Sequence, residues 1–349
     1  DRLRSRGLGD VYKRQDINKP KNILFDDKAD IDDLINSVLT SKSEITIFTS
    51  GTTGQPKKVV HTIETLTRST RVSFKYQSQI WAFAFNPTHM AGLQVFFQAF
   101  ANKNALINVF NKNRVEVYEL LSEYHVTHIS ATPTFYRLLL PVEKSYPEVC
   151  RVTLGGEKSN TKLYESMLLI FPNARINNIY ASTEAGSLFA AKGDLFQIPV
   201  ELKDKIKVED EELLIHNSLL GKSDSFSCVG DYYHSGDLIE WIDSDKGLFR
   251  FKSRKNELIN VGGYKINPGE VESVIMQFDG VQQAFVYGKP NSVLGNILCA
   301  EIKIEEGCSL SELDIRHWLA DKLQEFKIPR KIKFVENIAL TRTGKLKRT

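Results

Sequence analysis

From about Glu44 to Tyr180, short apolar runs alternate with stretches whose apolar residues recur at helical spacing. No other feature constrains the fold as tightly. The strand-like runs are Ile45–Phe48, Trp81–Phe85, Ala105–Val109, Thr127–Ser130, Arg151–Leu154 and Arg175–Ile179. Between them lie the helical stretches Thr62–Tyr76, Met90–Phe100, Val115–Tyr124, Pro133–Leu140 and Thr161–Ile170. Pro133 suits a first helical turn, where its missing N–H costs nothing. The alternation predicts an α/β fold, a doubly wound, mostly parallel sheet with helices on both faces. Ligands of such folds sit at the carboxyl ends of strands.

After Gly186 the pattern changes. Short extended pieces such as Glu212–His216, Leu238–Ile242 and Leu248–Phe251 predict a small β-rich, antiparallel subdomain over about 186–252. Lys252-Ser253-Arg254-Lys255-Asn256 then reads as a linker, with a hinge at 253–256. Beyond it, 257–349 reads as a small α+β domain. Its helices are Pro268–Phe278 and Ser309–Leu323, with Ser309 and Glu312 spaced as a capping box. The large domain is then 16–252.

Composition limits the function classes. A formal charge of +3 is too small to imply a nucleic-acid or membrane-surface partner. No apolar run approaches the roughly 20 residues of a membrane span. Cys150, Cys228, Cys299 and Cys308 show no CxxC pairing or adjoining His cluster, so they read as reduced, mostly packed thiols of a cytoplasmic protein. Asp1 to Gln15 is rich in arginine and lacks an apolar core, so it is no secretory signal. That segment reads as foreign or disordered sequence outside the fold.

Several segments carry chemistry. Thr49-Ser50-Gly51-Thr52-Thr53-Gly54-Gln55-Pro56-Lys57 follows an apolar strand and offers hydroxyls, backbone N–H groups and one ammonium. Such a loop suits a polyphosphate, though by itself it is more often a solvated turn. It lacks the Gly-Lys-Ser/Thr of a Walker loop. Leu154-Gly155-Gly156-Glu157 ends another strand, and its glycines permit either a planar ligand or a plain tight turn. In Tyr180-Ala181-Ser182-Thr183-Glu184, Tyr180 offers a face to a base, Thr183 a donor to phosphate and Glu184 an oxygen to Mg²⁺. Ser235-Gly236-Asp237 presents a carboxylate able to accept from two adjacent hydroxyls, and its plainer reading is turn chemistry. Arg254 alone is a surface charge. The basic tail Thr341–Arg348 is a solvated tail, a nucleic-acid contact or a mobile carrier of Lys345.

In this order along the chain, these segments resemble the adenylate-forming (AMP-binding) enzyme superfamily of acyl- and aryl-CoA synthetases, adenylation domains and luciferases. The resemblance runs from about Glu44 to Arg348. It implies that Thr49 to Lys57 (Ser50, Gly51, Thr52, Thr53 and Gly54 included) is the phosphate loop, and that Gly155, Gly156, Glu157 and Tyr180 form the adenine pocket. Thr183 would contact the α-phosphate, Glu184 would hold Mg²⁺, and Asp237 with Arg254 would take the ribose. Asn256 would be the hinge residue, His89 the gate of the acyl pocket, and Lys345 the catalytic lysine. Ser253 and Ala181 stand where the family usually has Gly. The resemblance also implies a longer segment before Glu44, so the amino end reads as truncated or naturally short.

By the same resemblance, Val261-Gly262-Gly263-Tyr264-Lys265 is the loop that admits a pantetheine arm after the small domain rotates. The implied reaction is ATP-dependent activation of a carboxylic acid to an acyl-adenylate, with release of pyrophosphate, followed by transfer to CoA. Three alternatives stand beside it: loading of a carrier-protein phosphopantetheine, a nucleotide-binding relic without full activity, and a nucleic-acid binder resting on the basic tail, which the modest charge and the absence of RNA-binding aromatics argue against. Neither the acid nor the oligomeric state is legible.

Overall fold

The computed structural model describes residues 30–49, 57–157 and 159–339. Asp30–Ser41 belongs to a first compact unit and Lys42 onward to a second. In the first, helix α1 (Ile31–Leu39) starts at a capping box in which Asp30 accepts from the Asp33 backbone and Asp33 returns the bond.

The second unit opens with a hairpin of β1 (Glu44–Thr49) and β2 (Lys57–Thr62), paired from Glu44 opposite Thr62 to Thr49 opposite Lys57. The run Ile45–Phe48 therefore lies outside the parallel sheet in which the sequence pattern put it. A short helix α2 (Ile63–Thr67) follows, in place of the long Thr62–Tyr76 helix expected. Its own Thr67 hydroxyl folds back onto the Ile63 carbonyl, a bond that competes with helix continuation.

Among the described residues the main sheet has 12 strands. Its parallel half runs β4 (Ala105–Asn108), β3 (Ile80–Phe83), β5 (His128–Ala131), β6 (Arg151–Gly155) and β7 (Arg175–Ser182). Helices α3 (Met90–Ala101), α4 (Arg114–Glu123), α5 (Pro133–Arg137) and α6 (Thr161–Ile170) connect or follow these strands. Successive residues of a strand face opposite ways, and β3 shows the consequence. Trp81 packs with Val95 and Ala99 of α3, whereas Ala82 packs with Val117, Tyr136 and Met167 of α4, α5 and α6. Helices thus cover both faces.

The antiparallel stretch expected after Gly186 continues this same sheet. From β7 it proceeds through β8 (Gly186–Lys192), β9 (Leu195–Gln197), β14 (Leu248–Arg254), β13 (Tyr232–Asp243), β11 (Glu212–His216) and β10 (Ile206–Glu209), with β12 (Cys228–Val229) on β13. Leu213, Ile215, Ile239 and Phe249 fill its core.

The remainder is a hairpin, β15 (Ile259–Val261) with β16 (Tyr264–Ile266), and a sheet of β17 (Val281–Asn291), β18 (Gly295–Ile304) and β19 (Lys331–Phe334). Helices α7 (Pro268–Ile275) and α8 (Glu312–Ala320) share one core with them through Val271, Ile275, Ile315 and Leu319. The capping box of α8 is Ser311 with Asp314, two residues beyond the expected Ser309 and Glu312. Three of the four cysteines are exposed and only Cys299 is buried, against the expectation that most would be packed.

Candidate active site

Strand β9 is only three residues long, and it is the sole link between β8 and β14 in the sheet order of the described residues. Side chains close the rest of that seam. The Tyr180 ring, leaving β7, stacks on Phe251 of β14 with centroids 4.5 Å apart, and lies 5.5 Å from Phe189 of β8. Its hydroxyl donates to Asp237 Oδ2 at 2.6 Å. Arg254, opposite Asp237 in the β13–β14 register, donates from Nε to Oδ1 at 2.7 Å and from Nη2 to Oδ2 at 3.4 Å.

Asp237 is 6 % exposed, so its charge needs these partners. Burial, then the Asp237 carboxylate, pushes the Tyr180 phenol well above its ordinary range and keeps it a donor. The same carboxylate raises the Arg254 guanidinium. The expected Gly turn before Asp237 is a bulge inside β13: Gly236 has φ +75°, and the β11–β13 register shifts there. The Gly236 N–H donates to Glu212 Oε1 at 2.9 Å, and the Asp237 N–H donates to Ser235 Oγ at 3.1 Å. The bulge re-aims Asp237 at Tyr180.

Thr183 and Glu184 occupy the turn between β7 and β8, at the carboxyl end of the last parallel strand. Glu184 is half-buried, and its carboxylate makes no hydrogen bond or ion pair with any described residue. An oxygen donor left in that state fits a hard cation such as Mg²⁺. Among the described residues there is no cluster of three or more His, Cys, Asp or Glu side chains able to hold a metal, so most ligands of such an ion would be phosphate oxygens and water.

The other expected site residues are placed as follows. Gly155 ends β6 opposite Ile179, and Gly156 turns the chain with φ +82°. Glu157 points at α5, where its Oε2 accepts from the Thr134 N–H at 3.0 Å and hydroxyl at 2.7 Å. Thr49 and Lys57 are paired at the end of the β1–β2 hairpin where the chain passes from β1 to β2, opposite the Glu44–Thr62 end. Ser50 to Pro56, including Gly51, Thr52, Thr53 and Gly54, lie outside the described residues, as does Lys345. Asn256 lies in a short 3-10 turn, Lys255–Glu257. Gly262 and Gly263 form the two-residue turn of the β15–β16 hairpin with φ +56° and +90°, the primed geometry that favours glycine. His89 is the N-cap of α3. That helix touches the site through Gln94, whose Oε1 accepts from the Ser187 hydroxyl at 2.8 Å.

Sequence reasoning missed His61, Arg68 and Gly221, which hold the Thr183–Ala185 backbone. One signal was available. His61 stands two residues after Val59 on β2, so a polar ring occupies an inward position of the strand.

These pieces make an α/β protein whose candidate site lies at the carboxyl end of the last parallel strand, followed by a small α+β region with its own core. The family model for AMP-binding enzymes matches residues 11–212, and the model for their C-terminal domain matches 270–345. The chain belongs to the AMP-binding, adenylate-forming enzyme family.

Among curated proteins, it is 26% identical over 344 residues to a 2-succinylbenzoate–CoA ligase of Listeria monocytogenes, covering 88% of this chain and 69% of that one. A 2-succinylbenzoate–CoA ligase of Staphylococcus aureus is 27% identical over 326 residues, covering 86% and 65%. A solved benzoate CoA ligase of Burkholderia xenovorans shares the fold with a TM-score of 0.73 at 20% identity, covering 86% and 66%. The chain thus spans about two thirds of the length of the relatives it matches.

Proposed function

We propose that this chain is an AMP-forming carboxylate–CoA ligase. The observation that carries the reading is the Tyr180–Asp237–Arg254 cluster with Thr183 and Glu184, whose carboxylate makes no hydrogen bond or ion pair with any described residue, all at the carboxyl end of β7 or the seam next to it.

The substrate carboxylate attacks the α-phosphorus of ATP and pyrophosphate leaves. A thiol then attacks the acyl carbon, and AMP leaves. No protein nucleophile is needed, so the chain contributes position and charge. Asp237 and Tyr180 hold the nucleoside, Thr183 donates to the α-phosphate, and Glu184 would hold Mg²⁺. When bound, that ion offsets charge on the phosphate oxygens. Lys345 supplies an ammonium to the same oxygens. Gly263 leaves one side of the Gly262-Gly263 turn open for the pantetheine arm of CoA, since a Cβ there would meet nothing within 4 Å, whereas one on Gly262 would lie 3.1 Å from Leu294 Cδ2. The hinge is 253–256. A cytoplasmic setting agrees with four free thiols, three of them exposed.

The names of the curated relatives make 2-succinylbenzoate the first acid to test. Pyrophosphate release would be followed with ATP, Mg²⁺ and a panel of carboxylic acids, with thioester formation then compared on free CoA and on a phosphopantetheinylated carrier protein. Release with one acid and thioester on CoA is the expected result. ATP binding without pyrophosphate release would make the chain a nucleotide-binding relic.

A further inference from the structure

Three consecutive carbonyls of the Thr183–Glu184–Ala185 turn are each held by a donor from a different part of the chain. The Thr183 carbonyl accepts from His61 Nε2 at 2.8 Å. The Glu184 carbonyl accepts from the Gly221 N–H at 2.8 Å. The Ala185 carbonyl accepts from Arg68 Nη2, whose Nη1 also donates to the Leu219 carbonyl at 3.0 Å. The Ala185 N–H closes the turn on Ser182 Oγ at 3.1 Å.

His61 is 2 % exposed. A carbonyl can only accept, so Nε2 carries the ring proton, and burial favours the neutral imidazole. Nδ1 then takes the Thr65 hydroxyl at 3.2 Å. Gly221 is bound to this arrangement by contact. A Cβ there would lie 2.6 Å from His61 Cε1 and 2.7 Å from Nε2. The 221–223 segment is also stitched to β2, with Val60 and Lys222 exchanging two backbone bonds of 2.8 Å and Ser223 Oγ donating to the Lys58 carbonyl at 2.5 Å. Strand β2 therefore both pairs with the 221–223 segment and grips the Thr183 turn.

We infer that His61 is a positioning residue for adenylate formation: through the Thr183 carbonyl, and with Gly221 and Arg68, it sets Thr183 and Glu184 toward the phosphates of ATP. This rests on the reading of Thr183 and Glu184 given above. His61 and Gly221 act through the backbone carbonyls of the turn. Their effect is preorganisation, which acts on the chemical step more than on ground-state binding.

The test compares the parent chain with His61→Leu, His61→Gln and Gly221→Ala by amide hydrogen exchange over Ser182–Ser187 and by kcat and KM for ATP in pyrophosphate release. Losing one buried hydrogen bond should speed exchange in the turn about tenfold in His61→Leu and lower kcat by at least about as much. KM for ATP should move little, and exchange in β17 and β18 should stay as in the parent. Gln places an amide N–H near the Nε2 position, so His61→Gln should recover most of both losses. Gly221→Ala should reproduce them with the histidine present.

Parent-like exchange in folded His61→Leu overturns the inference. So does a folded His61→Gln as impaired as His61→Leu in both readouts. A parent chain that releases pyrophosphate with no acid sinks the functional reading instead, and the exchange series still decides whether His61 holds the turn.

Discussion

Tyr180 and Asp237 meet at 2.6 Å although 57 residues separate them, and their bond spans a seam in the sheet that no backbone pairing covers beyond β9. That bond and the Arg254 pair make Asp237 a fixed acceptor. Asp237→Ala should weaken ATP binding by about 1.5–3 kcal/mol, the range for hydrogen bonds to a charged group. Tyr180→Phe keeps the ring stacked on Phe251 and should cost less affinity. Calorimetric titration of each variant with ATP checks both. Parent-like affinity in Asp237→Ala would remove it from the nucleotide site.

Glu184→Gln preserves volume and removes charge. Because the half-buried Glu184 side chain makes no hydrogen bond or ion pair with a described residue and acts on Arg254 and His61 only through its charge, the unfolding midpoint should move little. Pyrophosphate release should fall by roughly 10²-fold, a drop typical of losing one preorganised charge-stabilising group. Raising the Mg²⁺ concentration should recover part of it. A folded Gln variant with normal release at low Mg²⁺ would exclude Glu184 as the ligand.

His128 gives a pH signature. Its ring lies 4.9 Å from Trp81, and burial, helped by Arg151, lowers its pKa from 6.5 to about 4. The folded state therefore binds a proton later than the unfolded chain does. The contribution to stability is complete above pH 6.5 and is lost as pH falls toward 4, by about 3 kcal/mol in all. His61 is lowered in the same direction and adds to this slope. Urea unfolding at pH 7, 5.5 and 4 should show the decline, and His128→Asn should flatten most of it whatever its cost at neutral pH. An unchanged slope in the variant would assign the acid sensitivity elsewhere.

Much of the parallel half was legible because each strand and helix carries its own periodicity. Pro133 begins α5, and Met90–Ala101 is helical within a residue of expectation. Strand partners are not written locally. The Ile45–Phe48 run has the composition of a sheet strand, yet it pairs with β2 because the chain turns back at once. Tyr180 and Asp237 could be named singly, but their bond depends on a bulge at Gly236 that only the β11–β13 register shows. His61 reaches a carbonyl 122 residues away, a contact with no local trace.

The final prediction separates the two half-reactions. Gly262 and Gly263 turn the β15–β16 hairpin, and Lys345 follows later in the same carboxyl-terminal region. If that region serves the ATP site in one orientation and the thiol in another, the two changes have opposite effects. Lys345→Ala should cripple adenylate formation yet still convert a supplied acyl-adenylate to thioester. Gly263→Leu should do the reverse, because its side chain would fill the open side of the turn and leave Tyr180, Glu184 and Asp237 untouched. A Leu at φ +90° also strains the turn by on the order of 1–3 kcal/mol, so the variant's unfolding midpoint must be measured alongside. Asn256→Pro fixes φ inside the 3-10 turn and should arrest one orientation, damaging one half-reaction far more than the other. Pre-steady-state assays of each step on all three folded variants decide the matter. Equal loss of both steps throughout would mean that one fixed arrangement of the small domain serves the whole reaction.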